Sequence, residues 1–294
     1  MNKTKAFHIY LFSAFVPAWI LQICAGFFYQ SSGANLFYTV LLLLAMYSPF
    51  LGVLTAKMPL KDMGWQIHLK DKKWLFFLTA WFLPVILAVL GAAIYFLIKP
   101  QAFDSNASYL MSQYTGEQSA DLKAQGLTPQ VLAYLSVISA MTYAPFINML
   151  FALGEEVGWR GFMHTYLKEK YGPKKGIIYS GLIWGVWHWP IMLFGYEYGT
   201  DYWGYPVLGG LLFLVFTVCF GILLDWIFVR TGSIWGPSLM HGSANAAVFG
   251  LYFLNAAFKD DLIFGPLPIG LLGGIPLLLF SLYLYYNIYF KTNR

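Results

Sequence analysis

Eight runs of predominantly apolar residues divide this chain, at about 7–29, 36–56, 74–98, 130–153, 177–195, 206–229, 235–255 and 266–290. Each approaches or exceeds the roughly 20 residues that an α-helix needs to cross the hydrocarbon of a bilayer. Only a helix satisfies every backbone N–H and C=O within one such segment, so helices are what these runs can form in lipid. The rest of the composition agrees: 59 % of the residues are hydrophobic and 11 % charged, against about 25 % charged in a soluble domain. The expected fold class is therefore all-α, a polytopic membrane helical bundle of about eight transmembrane helices. The first apolar run, from Ala6 to Phe28, exceeds the roughly 7–15 residues of a signal-peptide core and is expected to stay as the first helix.

Most of the breaks are short. The exception, 99–129, carries Asp104, Glu117 and Asp121 and reads as a soluble loop with a short surface helix. The expected organisation is one integral membrane domain in three parts: 1–129 with helices one to three and that loop, a core over 130–255, and 256–294 with the last helix. Of the 18 Lys and Arg, all but Lys99, Lys123 and Lys259 fall on one side of this alternation. By the positive-inside rule that side is cytoplasmic, and both termini lie there. The formal charge of +5 thus reads as orientation against the lipid bilayer, with no nucleic acid implied. Cys24 and Cys219 lie in separate apolar runs without a second cysteine nearby, and are read as small buried hydrophobes.

Ionisable groups inside spans cost about 2.5–3.5 kcal/mol at the bilayer centre by insertion scales, and they mark functional sites by default. Here they are Glu155, Glu156, Arg160, His188, Asp225 and His241, joined by the amide of Asn245. In "GEEVGWRGF", Glu156 and Arg160 are four residues apart and share a helix face. Glu155 is turned about 100° away. One carboxylate is thus expected to neutralise the arginine in a structural pair while the other stays free. His164 follows Arg160 by four residues and is expected to extend that pairing; Asp225 is read as structural, near Arg230. His188 lies between two tryptophans in "WHWP", about 16 Å into its span at 1.5 Å per residue. His241 and Asn245 share a face in "SLMHGSANA", amid small residues that permit close helix approach.

Two hydrolytic chemistries fit this set. A carboxylate with a histidine can deprotonate a water, and a histidine with a carboxamide can donate to the oxyanion formed on attack at an amide carbonyl. Alternatively Glu155, His188 and His241 are a three-ligand zinc set with one open position. Both remain open on the residues alone, and zinc is a possible cofactor.

The order E-E-x-x-x-R (Glu155, Glu156, Arg160), then an aromatic-x-x-x-H (Trp184, His188), then H-x-x-x-N (His241, Asn245) resembles the CAAX-protease and bacteriocin-processing family of intramembrane endopeptidases, bacterial type. The likeness covers about 130–255; Trp184 stands where the family often has Phe. It implies that Glu155 and His188 activate water, that His241 and Asn245 stabilise the oxyanion, and that Glu156 and Arg160 support the site. The expected function is hydrolysis of a peptide bond near a C-terminus or in a membrane-associated peptide, so the partner is a peptide or protein substrate. The expected location is the bacterial cytoplasmic membrane, with the active site facing the cytoplasm. The alternative is a non-catalytic transporter or bacteriocin-immunity scaffold that uses the same polar cavity. Motif order favours a metal-free glutamate mechanism, because H-E-x-x-H is absent.

Overall fold

The structure, a computed structural model, describes residues 2–114 and 116–291; residues 292–294, counted above with the basic C-terminus, lie outside them. Its main helices are α1 (Lys3–Ser32), α2 (Leu36–Met46), α3 (Ser48–Thr55), α4 (Trp74–Ile98), α5 (Pro129–Met141), α6 (Ala144–Gly158), α7 (His164–Tyr171), α8 (Pro173–Trp187), α9 (Val207–Thr231), α10 (Trp235–Ala246) and α11 (Ile275–Tyr286). The chain is an all-α integral membrane bundle. Local chemistry sets several starts. Asn2 accepts from the Thr4 amide at 2.9 Å and Asn35 from the Tyr38 amide at 2.9 Å, each satisfying an orphan N–H of a first turn. Thr128 caps α5 through the Val131 amide, followed by Pro129 at the first helical position, where its missing N–H costs nothing.

The outer surface is apolar, as a lipid-facing surface should be: Phe12 is 69 % exposed, and Leu36, Leu97 and Val229 are also turned outward. The polar groups point inward. Buried residues include Glu155, Glu156, Arg160, His164, Asp225 and His241. Among the described residues α1, Leu36–Thr55, α4 and α9 are long and apolar enough to span, and α5 with Ala144–Tyr171 is together long and apolar enough for one more, bent by 57° at its break.

The other three expected spans are shorter than the hydropathy suggested. The run 177–195 ends its helix at Trp187, turns at His188 and continues only as the short helix Trp189–Met192. The run 235–255 stops at Ala246, and 266–290 is helical only from Ile275. Between them, 247–274 is apolar but mostly non-helical. Its backbone groups bond to one another and to the 100–109 segment, as in Asn255 N–H to the Ala102 carbonyl at 2.8 Å and Leu271 N–H to the Ile263 carbonyl at 2.9 Å. Non-helical backbone at membrane depth persists only where protein satisfies it in this way. Tyr95 and Lys99, at the end of α4, pin the same segment by bonding Asp261. The expected loop at 99–129 holds two short helices, Ser108–Ser112 and Gly116–Ala124. Cys219 is buried as expected, but Cys24 is exposed on the outer face of α1; both are free thiols.

Candidate active site

Two close backbone approaches and one side-chain contact assemble the site. The first packs α6 on the α2–α3 junction: a Cβ on Gly158 would sit 2.4 Å from Pro49 Cβ and 2.7 Å from its carbonyl carbon, so only glycine fits there. The second packs α10 on α6, where a Cβ on Gly242 would lie 2.4 Å from the Met149 nitrogen. The third is the ring of Trp184 on α8. With Gly158 turned to α3, the carboxylates that precede it in "GEEVG" face the bundle interior in two directions.

Glu156 points to α10. Its Oε1 accepts from Arg160 Nη1 at 3.2 Å and faces His241 Nδ1 at 2.8 Å, and its side chain is fully buried. A carboxylate only accepts, so the His241 Nδ1–H donates. The Arg160 guanidinium also lies over the Trp184 ring, 4.7 Å from its centroid, a cation–π contact. Glu156 therefore joins both Arg160 and a residue expected in the chemistry, which sequence spacing did not indicate.

Glu155 points into a cavity of about 440 Å³ lined also by His188, His241 and Asn245. Its Oε2 accepts two indole N–H bonds, from Trp159 at 3.1 Å and Trp184 at 2.8 Å; no described residue bonds its Oε1. Neither Glu156 nor Arg160 lines the cavity. His188 sits where α8 breaks, and its Nδ1 lies 3.1 Å from the Trp184 carbonyl. A carbonyl cannot donate, so Nδ1 carries the proton and the neutral ring keeps an unprotonated Nε2. Gln22 of α1 holds this break by donating to the Trp187 carbonyl at 3.1 Å. That carbonyl also accepts from Trp19 Nε1 at 3.2 Å. Helix ends leave such carbonyls unpaired, and in lipid a side chain must satisfy them.

One expected pairing forms differently. A π turn over Trp159–Met163 separates α6 from α7. The extra residue in that turn rotates His164 off the face of Arg160. His164 Nε2 instead meets Asp225 Oδ1 at 2.6 Å, and Lys168 Nζ reaches the same carboxylate at 2.9 Å. Asp225 is thus tied to α7 in a structural role, and the Arg230 guanidinium lies over Phe76 at 5.8 Å. This buried cluster is separate from the cavity.

Gly154 packs on the Met46 carbonyl between α2 and α3, and from Glu155 the cavity lining extends to Tyr38, Thr39, Phe213 and Glu197.

Among the described residues no three His, Cys, Asp or Glu side chains converge as one ligand set. Glu155, His188 and His241 share a cavity wall, but their donors do not meet at a point as the tetrahedral zinc arrangement requires. The sequence reading missed Trp159, Gln22, Asn148 and Glu197. Gln22 and Asn148 are amides inside apolar runs, which listing amides along with charges would have found, whereas Glu197 lies just beyond the run 177–195.

Residues 137–247, a stretch that contains all six expected site residues, match the family model described as type II CAAX prenyl endopeptidase Rce1-like. The chain is also 24 % identical over 224 residues to CAAX prenyl protease 2 of Methanococcus maripaludis, an alignment covering 76 % of each protein.

Proposed function

On the premise that residues 137–247 belong to the Rce1-like family of type II CAAX prenyl endopeptidases, we propose that the chain is an intramembrane endopeptidase of the metal-free glutamate type. It cleaves a peptide bond near a C-terminus or in a membrane-associated peptide, a CAAX tail being one candidate. The observation that carries this reading is the division of the two glutamates: Glu155 lines the cavity with His188, His241 and Asn245, and Glu156 does not.

In this reading, a water bound by Glu155 Oε1 and His188 Nε2 gives up a proton as its oxygen attacks the carbonyl carbon. The two indole N–H bonds fix the carboxylate through Oε2, so Oε1 is presented without a protein competitor. The oxyanion is met by Asn245 and by His241. Because the His241 Nδ1–H is committed to Glu156, its Nε2 donates only when the ring is protonated, so the Glu156 charge beside it has a direct use. The tetrahedral intermediate then collapses, the C–N bond breaks, and the proton taken from water passes to the leaving amine. Arg160 neutralises Glu156 and holds it in place. The division of the chain follows: 130–255 carries the chemistry, while 1–129 and 256–294 wall the cavity with residues such as Gln22, Tyr38 and Leu277.

The test is cleavage by purified, reconstituted protein of a mixed peptide library and of a prenylated CAAX peptide. Wild type should cut and Glu155→Gln, equally folded, should not. Equal turnover by the two proteins refutes the mechanism, and binding with no cutting by wild type points to the transporter or immunity scaffold.

A further inference from the structure

Glu197 lines the same cavity as Glu155, and the reaction proposed above has no use for it. It lies in the loop between the short helix ending at Met192 and α9. No described residue hydrogen-bonds or ion-pairs with its carboxylate, and no Lys or Arg lines the cavity. The walls of the cavity are mainly apolar, including Leu42, Leu87, Phe213 and Phe216. Burial pushes its carboxyl up to about 7. Its charge in turn holds the neighbouring Tyr196 hydroxyl well above its ordinary value.

The loop is built to keep Glu197 where it is. Tyr198 is buried and donates its hydroxyl to the Ile269 carbonyl at 2.7 Å, and Tyr205 donates to the Leu193 carbonyl at 2.7 Å. The Gly199 amide closes the turn on the Gly195 carbonyl at 2.9 Å. Between these anchors Glu197 has a φ of +72°, left-handed backbone that glycine adopts freely and glutamate does not. Glu197 is half-buried, and a carboxylate with no partner among the described residues, held in left-handed backbone at the wall of a mainly apolar cavity, is still costly. A loop with no need of that charge would hold a glycine or an amide there.

We propose that Glu197 is a specificity-determining residue that receives the ammonium or guanidinium of a basic substrate side chain. The substrate class is then a peptide in which a Lys or Arg is flanked by apolar residues. The apolar neighbours fill the cavity walls and the cation supplies the counter-charge that the protein omits. This inference rests on the endopeptidase reading, of which it names the substrate class.

Its test is binding rather than cleavage, in the Glu155→Gln protein, where no other carboxylate of the reaction attracts a cation and no probe is consumed. The probes are dansyl-Leu-Phe-Lys-Leu amide and its norleucine and glutamate counterparts, titrated in detergent by fluorescence anisotropy. The Lys probe should bind at least about tenfold more tightly than the norleucine probe, a margin typical of one charge-assisted contact. Adding Glu197→Gln should abolish that margin, and Glu197→Lys should move the preference to the glutamate probe. A role confined to folding the loop predicts no such reversal. Equal affinities for Lys and norleucine probes, binding of neither, or a Lys preference that survives Glu197→Gln overturns the proposal. None of these outcomes bears on whether wild type cleaves peptides, so the two readings fail separately.

Discussion

Replacing Glu156 by Met removes a charge without removing volume, so its effect isolates the electrostatics of the buried cluster. In the native protein the side chains of Arg160 and Glu156 are 3 % and 0 % exposed, and Glu156 Oε1 serves both Arg160 and His241. Glu156→Met leaves the guanidinium surrounded by protein, with the Trp184 ring as its remaining favourable contact. Breaking a buried pair from one side costs about 3–5 kcal/mol, well above the ~1 kcal/mol of an ordinary hydrogen bond. At about 2–4 °C per kcal/mol for a chain of this size, the unfolding midpoint in detergent should fall by roughly 6–20 °C. The double variant Glu156→Met/Arg160→Met leaves no orphaned charge and should be more stable than Glu156→Met alone, because uncharged isosteres often tolerate such sites. Neither variant should cleave well, since His241 has lost the acceptor that orients its Nδ1–H. Thermal unfolding followed by intrinsic fluorescence, with turnover measured on the folded fraction, reads both effects. A wild-type midpoint for Glu156→Met, or a double variant less stable than the single, would refute the reasoning.

Asn245→Ala should lower kcat by roughly 10²–10³-fold, the usual loss for one oxyanion donor, with a near-native unfolding midpoint; a change confined to KM contradicts its role. Asp225→Ala removes the partner of His164 and Lys168 and should cost about 2–3 kcal/mol of stability. Turnover per folded molecule should be unchanged, because that cluster lies outside the cavity; unaltered stability would show the buried bonds to be unimportant. Turnover should also survive a chelator such as 1,10-phenanthroline, with less than one zinc per chain by elemental analysis; loss on chelation and recovery with zinc would overturn the metal-free mechanism.

Much of the candidate site was legible in the sequence because lipid makes polarity conspicuous. A Glu or His inside a 20-residue apolar run has few structural excuses, and Glu155, Glu156, Arg160, His188, His241 and Asn245 stood out on that ground alone. The 3.6-residue period separated the two glutamates into different directions, since that relation is internal to one helix. The same period failed at His164. The π turn at Trp159–Met163 adds a residue, and nothing in the spelling of "WRGFM" marks it. It also failed for spans 235–255 and 266–290, where apolarity was real but the backbone found partners other than its own helix.

What hydropathy and helical period determined is therefore the class of the protein, an all-α bundle in a membrane, and the short list of side chains that lipid would not tolerate without a purpose. Tertiary structure alone decided who meets whom. His241 reaches Glu156 across 85 residues because Gly242 lets two helices nearly touch, and Trp184 of α8 carries its N–H to Glu155 of α6 on a long side chain. Glu197 enters the cavity through a pinned loop with left-handed backbone. A local pattern reports the faces of its own helix. The approach of one backbone to another, which sets every distance in the site, depends on all the packed helices together.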